Sequence, residues 1–397
     1  MQKNYKRLGD YIREVDIRNE EGVIETLLGI NIDKFFMPSV ANVVGTDLTR
    51  YKVVDKNQFA CNRMHVGRDK RLPVALSAKN DKFIVSPAYD VFEIIDKKEI
   101  LPDYLIIWLS RKEFDRNTWF FTNADVPEGL SWNTFLDMRL PVPPPSKQRE
   151  IVAEYKAVQN RIALNNQLIQ KLESTAQTIY KQWFVDFEFP DENGNPYKSN
   201  GGEIVESELG EIPKGWEAGY LSDLANITMG QSPEGETYNT EGKGMTFYQG
   251  RTDFGYRFPD ITTFTTAPNK KAKKCDILIS VRAPVGDLNI AVENCCIGRG
   301  LAAIKSKANY QSFLFYLMQT LTEHFDVSND EGTVFGAISK EALNGIRINK
   351  PQNSIIESFE KLIVPIDKII ELKSKQNKTL HILREVLLSE MAKGVIK

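Results

Sequence analysis

Histidine and cysteine are scarce in this chain, with three His and four Cys in 397 residues. The cysteines are Cys61, Cys275 and the adjacent pair Cys295 and Cys296, and no CxxC or His-x-x-x-His spacing is present to hold zinc. No metal site is expected, and the thiols read as reduced core residues. Long apolar runs are also missing. Nothing approaches the ~18 residues of a membrane helix, and the polar start from Met1 to Asp16 has no signal-peptide core, so a cytoplasmic protein with no membrane partner is expected. Charge of one sign is lacking too: Lys+Arg 51 against Asp+Glu 53 leaves a formal net charge of -2. That gives no global basic footprint for nucleic acid, although a local basic face can sit on a neutral chain.

Catalytic signatures are absent as well. There is no Gly-x-x-x-x-Gly-Lys-Ser/Thr phosphate loop, no Gly-x-Gly-x-x-Gly after a strand and no Gly-x-Ser-x-Gly elbow. Asn195-Pro196-Tyr197 lacks the second proline of the Asn-Pro-Pro-aromatic motif of amino-methyltransferases. Pro190-Asp191 and Pro259-Asp260 are not followed by the acidic-x-Lys of a nuclease motif. All three read as turns, and no residue is expected to be catalytic.

What is present is ordinary globular composition, 42% apolar and 26% charged, in a length that allows two to four domains. An internal repeat organises it. Placing Leu130-Ser131 over Ile338-Ser339, 208 positions on, puts Phe135 on Leu343, Leu140 on Ile348, Pro143 on Pro351, Ile151 on Phe359 and Ile179 on Leu387 without a gap. Upstream, Arg63-Met64-His65-Val66-Gly67 falls on Arg282-Ala283-Pro284-Val285-Gly286, 219 positions on, and Leu8-Gly9-Asp10 on Leu221-Ser222-Asp223. Strands are predicted at Lys82 to Ile95, Cys275 to Val281 and Gly300 to Lys305, and helices at Tyr104 to Phe114 and Tyr310 to Phe325. The fold class is α+β: two tandem modules, each a small mixed sheet with helices, separated by two long helices.

The first long helix follows Pro141 to Pro145, with Ser146 as its expected N-cap. Positions Ile151, Tyr155, Val158, Ile162, Asn165, Ile169, Leu172, Ala176, Ile179 and Trp183 alternate in strict steps of four and three, a coiled-coil seam. The second, Ser354 to Met391, repeats it more loosely through Phe359, Ile363, Ile366, Ile370, Leu380 and Leu387, with Lys373 and Arg384 at apolar places. Each seam finds its most economical partner in the other, giving an antiparallel coiled coil, and Pro365 should kink the second helix. The predicted boundaries are 1–145 and 216–353 for the modules, 146–188 and 354–397 for the helices, and 189–215 for a turn-rich linker.

Basic and aromatic residues recur beside glycine in predicted loops. Arg63, His65, Arg68, Lys70 and Arg71 form one cluster; Lys270, Lys271, Lys273 and Lys274 another; Gln249 and Arg251 are followed by Tyr256 and Arg257, and Gln231 stands in a Gly-Gln-Ser-Pro turn. Lys and Arg supply phosphate contacts, and Arg and Gln can read guanine and adenine edges. A solvated charged surface is the alternative. Arg282 and Arg299 suit a structural role, clamping loops.

The Pro-rich exit Leu140-Pro141-Val142-Pro143-Pro144-Pro145-Ser146-Lys147-Gln148-Arg149-Glu150-Ile151, the helix end Tyr180-Lys181-Gln182-Trp183-Phe184-Val185-Asp186-Phe187 and then Gly210-Glu211-Ile212-Pro213-Lys214-Gly215-Trp216 occur in an order that resembles the specificity subunit of type I restriction-modification systems. The second module is similar to target recognition domains of that family through Gly230-Gln231-Ser232-Pro233, Tyr248-Gln249-Gly250, Ser280 to Asp287 and Cys296 to Ala302. The resemblance covers nearly the whole chain and is weaker before about Tyr89. It implies two target recognition domains, each reading half of a split double-stranded DNA site. It also implies helices that dock two modification subunits and, through them, restriction/translocase subunits. The subunit itself would hold no cofactor; S-adenosylmethionine, ATP and Mg would sit on the partners. Two other classes remain open: a coiled-coil scaffold that binds only proteins, and a single-chain DNA methyltransferase.

Overall fold

A computed structural model describes residues 5–40, 45–122, 129–330 and 337–393. The chain divides into two compact units, residues 1–164 with 377–397, and residues 165–376. The two long helices are thus shared out, each contributing one part to each unit.

The first unit is built on a four-stranded antiparallel sheet in the order Ile12–Val15, Asp90–Ile94, Phe59–Cys61, Val74–Leu76. Its helices are α1 (Val66–Asp69), α2 (Pro102–Leu109), α3 (Lys112–Phe120), α4 (Trp132–Asp137) and the start of α5 (Pro145–Phe184). Apolar residues of the sheet and α2, among them Phe59, Phe92, Tyr104 and Leu105, bury against Ile151 and Val152 of α5 and Leu388 and Met391 from the last long helix.

The second unit repeats the plan. Its sheet runs Ala225–Met229, Leu301–Ser306, Ile277–Ser280, Leu288–Ile290, again all antiparallel. Around it lie α6 (Leu221–Leu224), α7 (Gln311–Asp330), α8 (Lys340–Asn344) and α9 (Asn353–Lys393). Here Ala176, Tyr180 and Phe184 of α5 pack with Phe313 of α7 and with Phe359 and Ile363 of α9. The modules differ outside the common sheet: a five-stranded mixed sheet in the second stands against two separate two-stranded antiparallel pairs in the first, Leu28–Ile30 with Phe36–Pro38 and Lys52–Val54 with Phe83–Val85.

The duplication is written in matching hydrogen bonds. Ser131 Oγ accepts from Thr134 N at 3.1 Å to cap α4, and Ser339 Oγ accepts from Ala342 N at 3.1 Å to cap α8. Leu8 N donates to Met138 O at 2.7 Å, and Leu221 N to Ile346 O at 2.8 Å, so the short Leu-x-Asp match is a true equivalence. The upstream match needs a one-residue correction. Leu130 N donates to Arg63 O as Ile338 N donates to Val281 O, which sets Arg63 over Val281, 218 positions on, and not over Arg282.

Several expected elements are shorter than predicted. Lys82 to Ile95 is two strands, Phe83–Val85 and Asp90–Ile94, in different sheets, because Pro87 cannot donate to a ladder. The helix expected from Tyr104 to Phe114 splits into α2 and α3 where Arg111 turns extended (φ -76, ψ 141). Helix α5 begins at Pro145, a residue pre-set for a first helical position, so Ser146 lies inside it and is not its cap. Three cysteines are buried, but Cys275 is exposed.

The seam also departs from strict alternation. In α5, Ile151, Val158, Ile162, Asn165 and Ile169 are buried and Tyr155 half-buried; beyond them burial moves to Glu173, Ala176, Tyr180 and Phe184, leaving Leu172, Ile179 and Trp183 half-buried. A 3.6-residue helix drifts ~20° per heptad against a 3.5 pattern, and in this part it also faces α7. In α9, Phe359, Ile363 and Ile370 are buried and Ile366, Leu380 and Leu387 half-buried, with Asn377, Leu388 and Met391 taking the buried places. Helix α9 runs through Pro365, which is exposed, so the carbonyl deprived of its donor faces water.

Candidate nucleic-acid interface

In the second unit, loops from four places in the sequence meet on one surface. Gly230 N donates to Leu301 O and Gln231 N to Ile297 O, both at 2.9 Å; Gly298 N donates to Tyr248 O at 2.8 Å, and Arg299 N to Ser232 Oγ at 3.2 Å. The backbones lie so close that a Cβ at Gly230 would be 2.1 Å from Gly298 O, and one at Gly300 would be 2.8 Å from Gln249 O. Only glycine permits this approach. The Asp253 carboxylate holds the next turn by accepting from the amides of Gln249 (2.6 Å) and Gly250 (3.2 Å).

With the backbones fixed, the side chains of Gln231, Gln249 and Arg299 point outward. All three are exposed and make no hydrogen bond among the described residues. Arg251 is exposed and pairs with Asp287, whose amide is held by Ser280 Oγ at 2.9 Å. Arg282 is exposed in the same segment. The structure places the candidates Gln231, Gln249 and Arg251 on one surface together with Arg282 and Arg299, for which the sequence suggested a clamping role. The flanking glycines of Gly298-Arg299-Gly300 were the available signal.

The lysine cluster is exposed at Lys270, Lys271, Lys273 and Lys274. Asn269 Nδ2 reaches Ser232 O at 3.4 Å and Ile297 N donates to Lys270 O, which ties Lys270 and Lys271 to the Gln231 loop. Lys274 lies 3.7 Å from Glu371 of α9. Tyr256 is 69% exposed.

Arg257 requires a correction. It is 3% exposed, pairs with Glu173 of α5 and with Asp367 of α9 (2.6 Å), and donates to Tyr316 Oη at 3.0 Å while stacking on Phe315. Burial disfavours its charge, but Asp367, Tyr316 and Glu173 outweigh that and push its pKa up. It binds the module to both long helices and is closed to DNA.

In the first unit Arg63 is likewise a clamp. Its guanidinium takes Asp90 at 2.7 and 3.0 Å, donates to Leu130 O and lies 5.4 Å from the Trp132 ring. His65 Nδ1 faces two donors, Asn62 Nδ2 and Arg68 Nη2, each at 3.1 Å, and so acts as an acceptor. Arg68 also holds Asp69, lowering its carboxyl pKa. Lys70 and Arg71 are exposed; Lys70 Nζ sits 4.9 Å over Trp119, and Arg71 lies 3.4 Å from Asp33.

A family profile described as the type I restriction modification DNA specificity domain matches residues 55–174 and 213–381, both copies of the repeat. The chain belongs to the type I restriction-modification DNA specificity family. Among its relatives, the chain assigned as the MjaX type I restriction enzyme specificity subunit of Methanocaldococcus jannaschii is 29% identical over 382 residues, 94% of this chain and 86% of that one. The HindI specificity subunit of Haemophilus influenzae is 22% identical, covering 98% of each. The crystal structure of a type I restriction-modification S subunit from M. genitalium has the same fold, with a TM-score of 0.62 at 15% identity over 98% of this chain and 95% of that one. As a specificity subunit the chain recognises DNA and is non-catalytic, which favours neither the scaffold nor the single-chain methyltransferase. No helix among the described residues is long and apolar enough to cross a membrane, and no group of His, Cys, Asp or Glu among them could hold a metal ion.

Proposed function

We propose that each unit of this specificity subunit reads one half of a split double-stranded DNA site, and that α5 and α9 dock two modification subunits. Those subunits would bring S-adenosylmethionine and methylate adenine, and the restriction/translocase subunits, with ATP and Mg, would assemble through them. The observation that carries this reading is the repeated sheet with different loops on each copy: Gln231, Gln249, Arg251 and Arg299 in one, Arg68, Lys70 and Arg71 in the other. One scaffold with two loop sets suits two different half-sites, Gln and Arg for base edges and Lys for phosphates.

Helix docking is supported by apolar side chains left outside the seam. Leu362, Ile369 and Leu372 of α9 are exposed at heptad-like spacing in the second unit, and Ile382, Leu383 and Val386 in the first. Such stripes mark protein contact surfaces. The test is methyl transfer by the modification subunits with and without this chain. Sequence-specific adenine methylation that requires the chain supports the reading, whereas the same methylation without it, or methyl transfer by the chain alone, would overturn it.

A further inference from the structure

The first unit carries three consecutive large aromatics in solvent at the end of α3: Trp119 at 42%, Phe120 at 76% and Phe121 at 45% exposure. The Phe120 and Phe121 rings meet edge to face at 5.1 Å, forming a two-ring blade. This blade is rigidly mounted. Phe114, Asp115 and Thr118 on the inner face of α3 are buried, Asp115 takes Lys34 Nζ at 2.6 Å, and Thr122 Oγ1 donates to Trp119 O at 2.7 Å.

The mount is the basic segment itself. Leu72 N donates to Asp115 Oδ1 at 3.0 Å, Lys70 Nζ lies 4.9 Å over Trp119, and Leu130 N returns to Arg63 O at 3.0 Å. Two contacts thus hold α3 against residues 63–72, one through Asp115 in its first half and one through Trp119 at its aromatic end, while Leu130 ties the chain after α3 to Arg63. Among the described residues Lys70 has no carboxylate partner, and the exposed Arg71–Asp33 pair at 3.4 Å is of the weak kind that exchanges readily for a phosphate.

We propose that Trp119, Phe120 and Phe121 form an aromatic wedge that inserts against the bases of duplex DNA while Lys70 and Arg71 hold the neighbouring phosphates. The proposal rests on the reading of this unit as a DNA-binding module. An exposed ring can slide between base pairs or cover an unstacked base, and adjoining cations keep it at the backbone. No such residue follows from donor and acceptor matching to base edges, so the wedge would act on the shape and stiffness of the site.

The test uses the full chain assembled with its modification subunits, and as probe a duplex carrying the sequence that the wild-type complex methylates. Phe120→Ala is expected to weaken binding about ten- to a hundred-fold with the salt dependence unchanged, and a mismatch at the wedged step should restore most of the loss, since the step is then already unstacked. Lys70→Ala should instead lower the salt slope by about one. Phe120→Ala complexes that bind the duplex as tightly as wild type would overturn the proposal. So would Phe120→Ala complexes that lack a modification subunit by mass, which would make the patch a protein contact. A wild-type complex with no affinity for any duplex would instead defeat the underlying DNA reading.

Discussion

At Gln249 the backbone is fully engaged and the side chain is not: its amide goes to Asp253 and its carbonyl receives Gly300 N, while the carboxamide stands in solvent. That division of labour is what base reading needs. Gln249→Ala or Arg299→Ala in the assembled complex is expected to relax the preference at one half-site by about 1–3 kcal/mol, measured by competition between duplexes. Neutralising Lys270 and Lys271 should weaken all duplexes alike and flatten the salt dependence by about one unit per lysine. Tyr256 and Arg257 show where sequence reading stops: neighbours in one basic-aromatic run, one is in solvent and the other is buried in the core. No local pattern distinguishes them, because Arg257 is drawn inward by carboxylates 84 and 110 residues away.

Among the elements, the long helices were legible in outline and not in their partners. Apolar spacing revealed α5 and α9, but the buried Glu173 and the half-buried Asp367 sit on them for the sake of Arg257, which periodicity cannot express. Arg257→Met should leave two carboxylates unpaired and cost about 3–5 kcal/mol in thermal unfolding, without changing the salt slope of DNA binding. Glu360 of α9 is a second strained point. Burial pushes its pKa up to about 7, although it accepts from Phe313 N at 2.8 Å. A carboxyl raised in the folded state binds its proton more tightly there than when unfolded. Its penalty is therefore absent below about pH 4.5, grows as pH rises, and is complete above about pH 7. Glu360→Gln keeps the acceptor and removes the charge, so it should raise stability by about 1–2 kcal/mol at pH 8 and change little at pH 4; equal effects at both would contradict the burial argument.

For the whole molecule, the duplication was visible because helix caps and exit prolines recur at a constant offset, whereas the loops that distinguish the copies obey no shared pattern. We propose that α5 and α9 also act as a spacer that sets the interval between the two half-sites. Asn165 Nδ2 meets Gln376 Oε1 at 3.0 Å, so seven residues added after Leu164 must be matched by seven after Gln376. That lengthens each helix by ~10 Å, about three base pairs of DNA. Methylation should move to a longer spacer or be lost; full activity on the original spacing would contradict a spacer role. The central claim, that two units read two half-sites, is tested most directly by mapping methylated adenines in cells expressing the chain with its modification subunits. The expected result is a split motif, two short specified blocks at a fixed interval of unspecified bases, of which Gln249→Ala relaxes one block and leaves the other intact. A single continuous motif, or one relaxed throughout by that substitution, would contradict it.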